Sequence, residues 1–331
     1  MTVPLMELRN ATKRFGARSS VTSRMRRWLG DSSSTSVVTA VDRVTLAIDE
    51  GEVVGLVGES GCGKSTLGRM AVGLLPLSEG ERLWRGSSVH EAQEIGINDR
   101  LASQMIFQDP QSSLNPRKRV LEIVGEAPRV HGLVTRADQG ARVAELLERV
   151  GLDVSMTRAY PHQLSGGQRA RVGIARALAV HPRFLVCDEA LASLDVSIQA
   201  QVLNLFIQLR ADLGLTYLFV SHDLVVVRHI ADRISIMYLG RIVESAPTDE
   251  LFTEPNHPYA QGLLAEAPSL VARKRDFIGV SGEIPSPLDP PAGCHFHPRC
   301  PYVMERCKTQ EPELREIAPR RFSACHLNDR S

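Results

Sequence analysis

One stretch constrains this chain more than any other: GESGCGKST, Gly58 to Thr66, directly after the β-branched run GEVVGLV. The pattern G-x-x-x-x-G-K-[ST] behind a short apolar run reads as a strand, a glycine-rich loop and a helix. Glycines let the backbone N–H groups of Gly58, Glu59, Ser60, Gly61, Cys62 and Gly63 curl around phosphate oxygens. The helix expected after Lys64 turns its positive end toward the same oxygens. Lys64 reaches the β- and γ-phosphates in such a loop, the Ser65 hydroxyl ligates Mg²⁺ and completes the pattern, and Thr66 follows it in the same nucleotide-binding stretch. Cys62 reads as a small filler residue, although a thiol near a helix N-terminus can have its pKa lowered.

A loop of this kind needs a parallel sheet behind it, and the rest of the sequence supplies one. RFLVCDE and LTYLFVSHD are apolar runs closed by polar residues. Between and before them the apolar residues recur at helical steps: Val143, Leu146, Leu147 and Val150, then Ile198, Val202, Leu205, Phe206, Leu209 and Leu213, with Gly214 placed to end the helix. Strands alternating with helices predict an α/β fold whose ligand edge lies at the carboxyl ends of the strands. Leu5 to Phe15 reads as a strand followed by a turn. Arg18, Arg24, Arg26 and Arg27 sit in a Ser-rich stretch running to Ser36, read as an exposed insertion. After about Pro255 proline and cysteine become frequent and helical periodicity fades. The expected division is therefore an ATPase-like unit over 1–253 and an extension with little apolar core over 254–331.

Composition narrows the function classes. Lys+Arg of 39 against Asp+Glu of 38 leaves a net charge of +1, which gives no sign of a nucleic-acid partner. No apolar run approaches the roughly 20 residues that cross a bilayer. MTVPLMELRN lacks a basic segment followed by an apolar core, so no signal peptide is expected, and the cytosol is the default compartment.

FLVCDE supplies the partner of the phosphate loop. Asp188, at the end of a predicted strand, is placed to hold Mg²⁺ directly or through water, and the carboxylate of Glu189 to orient and polarise an attacking water. These two elements alone indicate a P-loop nucleotide hydrolase. LSGGQ, Leu164 to Gln168, indicates more: it resembles the signature of the ABC ATPase family. IFQDP carries Gln108 where that family has its Q-loop glutamine, ASLD carries Asp195 of a D-loop, VSHDL carries His222 of the switch, and Phe15 stands where the family stacks an aromatic on adenine. All appear in family order across roughly Met6 to Val243. The resemblance implies a RecA-like mixed-sheet core with antiparallel β and α-helical subdomains. It also implies hydrolysis of ATP with Mg²⁺, and head-to-tail pairing in which Ser165, Gly166 and Gly167 of one cassette close the site of another. His222 would contact the γ-phosphate, and Gln108 would link Mg²⁺ and water to a transmembrane partner. Ala190 departs from the family, which commonly has proline there; proline would only stiffen the strand exit.

QDPQSSLNPR, YPHQLSGGQ, CDEALASLDVSIQAQVLNL and EPNHPYAQGLLAEAP narrow the resemblance to ATP-binding subunits of oligopeptide and dipeptide importers, closest to the second of the two such subunits. That implies a partner ATPase subunit, two membrane-spanning permease subunits, an extracytoplasmic peptide-binding protein, and a peripheral position on the cytoplasmic face of the membrane. Similar subunits serve nickel, glutathione and some oligosaccharides. Soluble ABC ATPases of DNA repair and of the ribosome form the rival class, but they usually carry two cassettes or a long inserted arm. A metal-cluster sensor with a vestigial ATPase is a third reading, against which the intact Glu189 and His222 argue.

The tail holds Cys294, Cys300, Cys307 and Cys325, three of them within GCHFHPRCPYVMERC. A reducing compartment disfavours disulfides. Five and six residues separate the first three, wider than the usual two to four of paired zinc ligands. Four thiolates suit a [4Fe–4S] cluster, Cys300-Pro301 matches the Cys-Pro step of cluster ligands, and some peptide-importer ATPases carry one in this extension. Zinc and plain reduced thiols stay as alternatives. His295, His297 and His326 flank the cysteines and read by default as exposed loop histidines.

Overall fold

The computed structural model describes residues 3–16, 37–89, 97–109, 113–266, 280 and 282–330. Met6–Phe15 (β1) and Val38–Ile48 (β2) pair antiparallel, and the chain then leaves for a second sheet through Val53–Val57 (β3). Glu79–Trp84 (β4) returns to the far side of β1 and pairs with the short Ser87–Ser88 (β5), completing a four-stranded antiparallel sheet in the order β2-β1-β4-β5. The Arg- and Ser-rich stretch expected as an exposed insertion falls at 17–36, outside the described residues.

The second sheet is built around β3. Ser103–Ile106 (β6), Phe184–Asp188 (β7), Thr216–Ser221 (β8) and Arg233–Tyr238 (β9) run parallel with it in the order β9-β3-β8-β7-β6. Every residue of β3, β7 and β8 is buried, as parallel strands covered on both faces require. Arg241–Pro247 (β10) continues the sheet antiparallel beyond β9. On one face the helix Lys64–Ala71 (α1) buries Leu67, Met70 and Ala71 in a cluster that the antiparallel sheet closes with Leu8, Leu46 and Ile48.

The other face is covered by longer helices. Val120–Val130 (α2), Gln139–Arg149 (α3) and Gly166–Leu178 (α4) pack together. α3 turns Val143, Leu146 and Leu147 inward, the residues whose spacing predicted it. Val196–Leu213 (α5) buries Val202, Leu205, Phe206 and Leu209, and Phe206 meets Tyr217 and Phe219 edge-on, at 5.8 Å between centroids in each case. Each such side chain contributes about 1.5–3 kcal/mol by leaving water. Gly214 ends α5 with φ +62°, a left-handed conformation that glycine adopts without a Cβ penalty.

The tail departs from expectation. Beyond Leu224–Ile230 (α6), Thr248–Thr253 (α7) and Pro258–Glu266 (α8), the chain folds back. Arg315–Ala318 (β11) and Arg321–Ser323 (β12) form a hairpin that extends the large sheet past β10, giving eight strands in all. Phe296 is 2% exposed, with its ring 5.3 Å from those of both Tyr238 and Tyr259, and belongs to the main apolar cluster. The change in texture after Pro255 marks irregular local structure. The segment does not need a core of its own, because it shares that of the ATPase-like unit.

Candidate functional site

The loop Gly58–Gly63 joins β3 to α1 and sits where the sequence places it, at the carboxyl end of a central strand. Two of its glycines are required. A Cβ on Gly58 would lie 2.1 Å from the carbonyl oxygen of Met237. One on Gly63, at φ +110°, would lie 2.1 Å from that of Ala40. The loop is thus pressed against β9 and the start of β2. Lys64 is buried, and its Nζ donates to the carbonyls of Gly58 (2.7 Å) and Glu59 (2.9 Å), placing the ammonium across the loop. Cys62 is also buried, its Sγ 3.9 Å from Lys64 Nζ. Burial pushes its thiol pKa up, outweighing the neighbouring ammonium, so the lowering that a helix N-terminus can cause does not occur.

Asp188 ends β7 beside α1, and the Ser65 hydroxyl donates to its Oδ1 at 2.7 Å. Burial raises the Asp188 carboxyl, while Ser65, Arg69 and Lys64 oppose that rise. Two residues expected to share one Mg²⁺ are therefore in contact. Glu189 follows with φ +45°, an uncommon conformation for a residue with a side chain, costing on the order of 1–3 kcal/mol. It turns the carboxylate away from the strand. Oε2 accepts from Gln108 Nε2 at 2.6 Å, and Oε1 lies 3.4 Å from Nδ1 of the exposed His222. Ala190, where the family has proline, is buried, so the tight exit from β7 does not depend on a proline ring.

The structure brings Lys64, Ser65, Gln108, Asp188, Glu189 and His222 to one edge of the sheet. It sets Leu164 to Gln168 on another element. Ser165 caps α4: its hydroxyl accepts from the Gln168 N–H at 3.2 Å, and Gln168 Oε1 accepts from the Ser165 N–H at 2.9 Å. Leu164 is buried below this cap, while Ser165 and Gly166 are exposed. A Cβ on Gly167 would come within 2.6 Å of Ile198 Cγ2, so this glycine lets α4 approach α5. Asp195 caps α5, accepting from the Ile198 N–H (3.0 Å) and from Ser197 Oγ (2.7 Å). Phe15 is exposed at the end of β1, with the Lys13 ammonium 5.5 Å from its ring centroid.

Two residues that touch the loop lie far from it in sequence. Tyr259 Oη accepts from the Glu59 N–H at 3.0 Å, and the Arg299 guanidinium holds the Glu59 carboxylate with bonds of 2.8 and 2.9 Å. The only hint in the sequence is Glu59 itself, an acid inside a phosphate loop that calls for a cation nearby.

The four tail cysteines are free thiols that line a single pocket, together with His257, His297 and His326. The Cys294 N–H donates to the carbonyl of Cys307 at 2.8 Å, and burial pushes the thiols of Cys294, Cys300 and Cys325 up to about 11. The sulfurs are gathered, yet among the described residues no group of three or more His, Cys, Asp or Glu side chains is arranged to hold a metal ion. None of the three flanking histidines is fully exposed. His326 is buried, with Nε2 2.9 Å from the Gln310 carbonyl and Nδ1 3.1 Å from Asp329, and His295 and His297 are half-buried.

Comparison with known proteins matches residues 41–192 to the ABC transporter family and residues 243–307 to the C-terminal region of oligopeptide/dipeptide transporters. The chain is 47% identical, over 98% of its length and 97% of the relative's, to the oligopeptide transport ATP-binding protein AppF of Bacillus subtilis. A second Bacillus subtilis relative, YkfD, whose name carries the same oligopeptide transport ATP-binding description, is 49% identical over 90% of this chain and 92% of its own. Among solved structures, cbiO1 of Clostridium perfringens, part of the ABC transporter complex cbiONQ, superposes with a TM-score of 0.62 at 26% identity, covering 76% of this chain and 91% of that one. The ATP-binding cassette MJ0796, a dimer bound to ADP and Pi, gives 0.60 at 28% identity over 73% and 98%.

Proposed function

Because the chain belongs to the ATP-binding subunits of ABC transporters, in the group with the oligopeptide/dipeptide C-terminal region, and is therefore an ATPase, we propose that it powers the import of di- and oligopeptides. The observation that carries the reading is the joint presence, in one chain, of the Lys64–Ser65–Asp188–Glu189 edge and that C-terminal region. On this reading residues 1–253 form the nucleotide-binding unit and 254–331 the extension.

ATP enters the loop Gly58 to Thr66, with Phe15 under the adenine and Lys64 turning from the Gly58 and Glu59 carbonyls to the β- and γ-phosphates. Ser65, Gln108 and Asp188 would hold Mg²⁺, which would supply charge neutralisation for the phosphate oxygens when bound. Glu189, aimed by its bond to Gln108 and with His222 close by, polarises the attacking water, and His222 contacts the γ-phosphate. Leu164 to Gln168 of a partner ATPase subunit close the site, since a capped helix N-terminus presents unpaired N–H groups to phosphate. Asp195 lies at that same junction. Nucleotide-driven closure and reopening of the pair alternates access in two permease subunits, which receive peptide from an extracytoplasmic binding protein. Among the described residues no helix is long and apolar enough to cross a membrane. A peripheral position on the cytoplasmic face follows, on this reading, from the permease subunits the chain would drive.

The extension adds a thiol site. Cys294, Cys300, Cys307 and Cys325 line one pocket, and the reading for them is a [4Fe–4S] cluster, with zinc or no metal at all as the alternatives. The side chains as placed do not form a closed ligand set, so no step of the ATP chemistry is drawn through them. Anaerobically purified protein containing iron and labile sulfide supports the cluster; colourless protein with stoichiometric zinc replaces it.

The test of function is recovery of the tagged chain from membranes. Co-purification with two permeases, together with loss of peptide uptake in a strain carrying Glu189→Gln, supports the proposal. Recovery with ribosomes or DNA overturns it.

A further inference from the structure

Glu59 is an anomaly in a loop built for polyphosphate. Its carboxylate adds negative charge to a segment whose N–H groups, and whose Lys64, serve anion binding. Beside a turn bond from the Cys62 N–H to its carbonyl at 3.3 Å, three restraints act on it, and two come from the tail. Its carbonyl accepts from Lys64 Nζ at 2.9 Å, its N–H donates to Tyr259 Oη at 3.0 Å, and its two carboxylate oxygens take the two arms of the Arg299 guanidinium at 2.9 and 2.8 Å. A bidentate fork of this kind fixes orientation as well as distance.

Arg299 is itself rigidly mounted. Its side chain is 5% exposed, and its guanidinium lies 5.8 Å from the centroid of the Tyr238 ring, with Nη1 3.5 Å from Tyr238 Oη. The residue closes the tight turn His297–Arg299, directly after Phe296, which is wedged between Tyr238 and Tyr259 in the main core. The guanidinium therefore reaches the phosphate loop from a fixed base. Pairing with Glu59 holds it more firmly cationic still. Cys300 is the next residue, so the thiol pocket and the phosphate loop share one anchor.

We propose that Arg299 is a positioning residue of the nucleotide site: the C-terminal segment reaches back to neutralise Glu59 and hold it aside, and affinity for MgATP depends on this contact. The proposal rests on the loop being the nucleotide site. Without Arg299, the Glu59 carboxylate is left partly buried and uncompensated next to the incoming triphosphate, which repels it.

The experiment is equilibrium binding of a fluorescent ATP analogue with Mg²⁺ to the full-length chain, with thermal unfolding recorded for each variant. Arg299→Met raises the Kd on the order of tenfold. Adding Glu59→Gln to Arg299→Met restores the Kd to within about threefold of the unmodified chain, because the repelling charge is then gone. Loss of packing predicts no such recovery. Arg299→Lys keeps the charge but loses the fork, so its Kd falls between those of the unmodified and Met chains; it serves as the test should the Met variant not fold. An unchanged Kd in a folded Arg299 variant, or a double variant that binds as weakly as Arg299→Met, overturns the proposal. Lys64→Ala separates the two levels. If it abolishes binding while Arg299→Met does not weaken it, only the role of Arg299 falls. If Lys64→Ala binds normally, the loop is not the nucleotide site and both readings fall.

Discussion

The phosphate edge and the cysteine-bearing tail are built in opposite ways. At the phosphate edge each contributor is a short contiguous word: a loop, a strand end with its next residue, a helix cap. The tail has almost no regular structure between 282 and 314 beyond two short helical turns, and its important residues are joined by contacts across hundreds of positions. Arg299 reaches Glu59 across a separation of 240 residues, and the Arg43 guanidinium reaches Glu311 across 268. Local chemistry thus governs the first region and packing governs the second. Changes at the edge should alter turnover with little effect on stability, and changes in the tail should act first on stability, with the exception of Arg299, which reaches the phosphate loop itself.

The largest expected effect tests the edge. Glu189→Gln keeps the Gln108 and His222 neighbours in reach but removes the base, so hydrolysis falls about 10²–10⁴-fold while nucleotide binding and the thermal midpoint hold. Steady-state ATPase rates beside a nucleotide-binding isotherm check this. Turnover near the unmodified rate removes Glu189 from its role. The next effect tests the tail. Phe296→Ala empties a site enclosed by Tyr238, Tyr259 and His257, and should cost about 3–5 kcal/mol in denaturant unfolding of the whole chain. A two-step transition, with only a minor part destabilised, would show instead that the tail is a satellite and break the comparison. The smallest effect lies where the regions' logics meet. Ser165→Ala removes the cap of α4, costing about 1 kcal/mol of stability. On the proposed head-to-tail pairing it should also slow hydrolysis, because the same residue would then face the partner's nucleotide. A stability loss with unaltered hydrolysis would reduce Ser165 to a cap alone.

Much of the ligand edge was legible in the sequence for the reason that makes it local. Gly58 and Gly63 admit no side chain, Gly214 ends α5 in a left-handed turn, and Val143, Leu146 and Leu147 face inward because helical spacing puts them on one face. The contact between Ser65 and Asp188 fits two residues expected at one Mg²⁺, since the loop that precedes Ser65 and Asp188 itself both lie at the carboxyl ends of parallel strands in the same sheet. The thiols were read as a set because three crowd into fifteen residues. Their geometry was not legible, since sulfur positions depend on how an irregular segment is pinned.

By itself the sequence determined the α/β pattern, the phosphate loop, the acid pair at the end of β7 and the family, because each is written in residues a few positions apart and obeys backbone rules. Tertiary structure alone decided that the tail completes the large sheet, that Phe296 belongs to the main core, and that Tyr259 and Arg299 grip Glu59. Those contacts depend on which surfaces meet once burial has folded the chain back on itself. No periodicity or spacing encodes the distance between residues that are 240 apart.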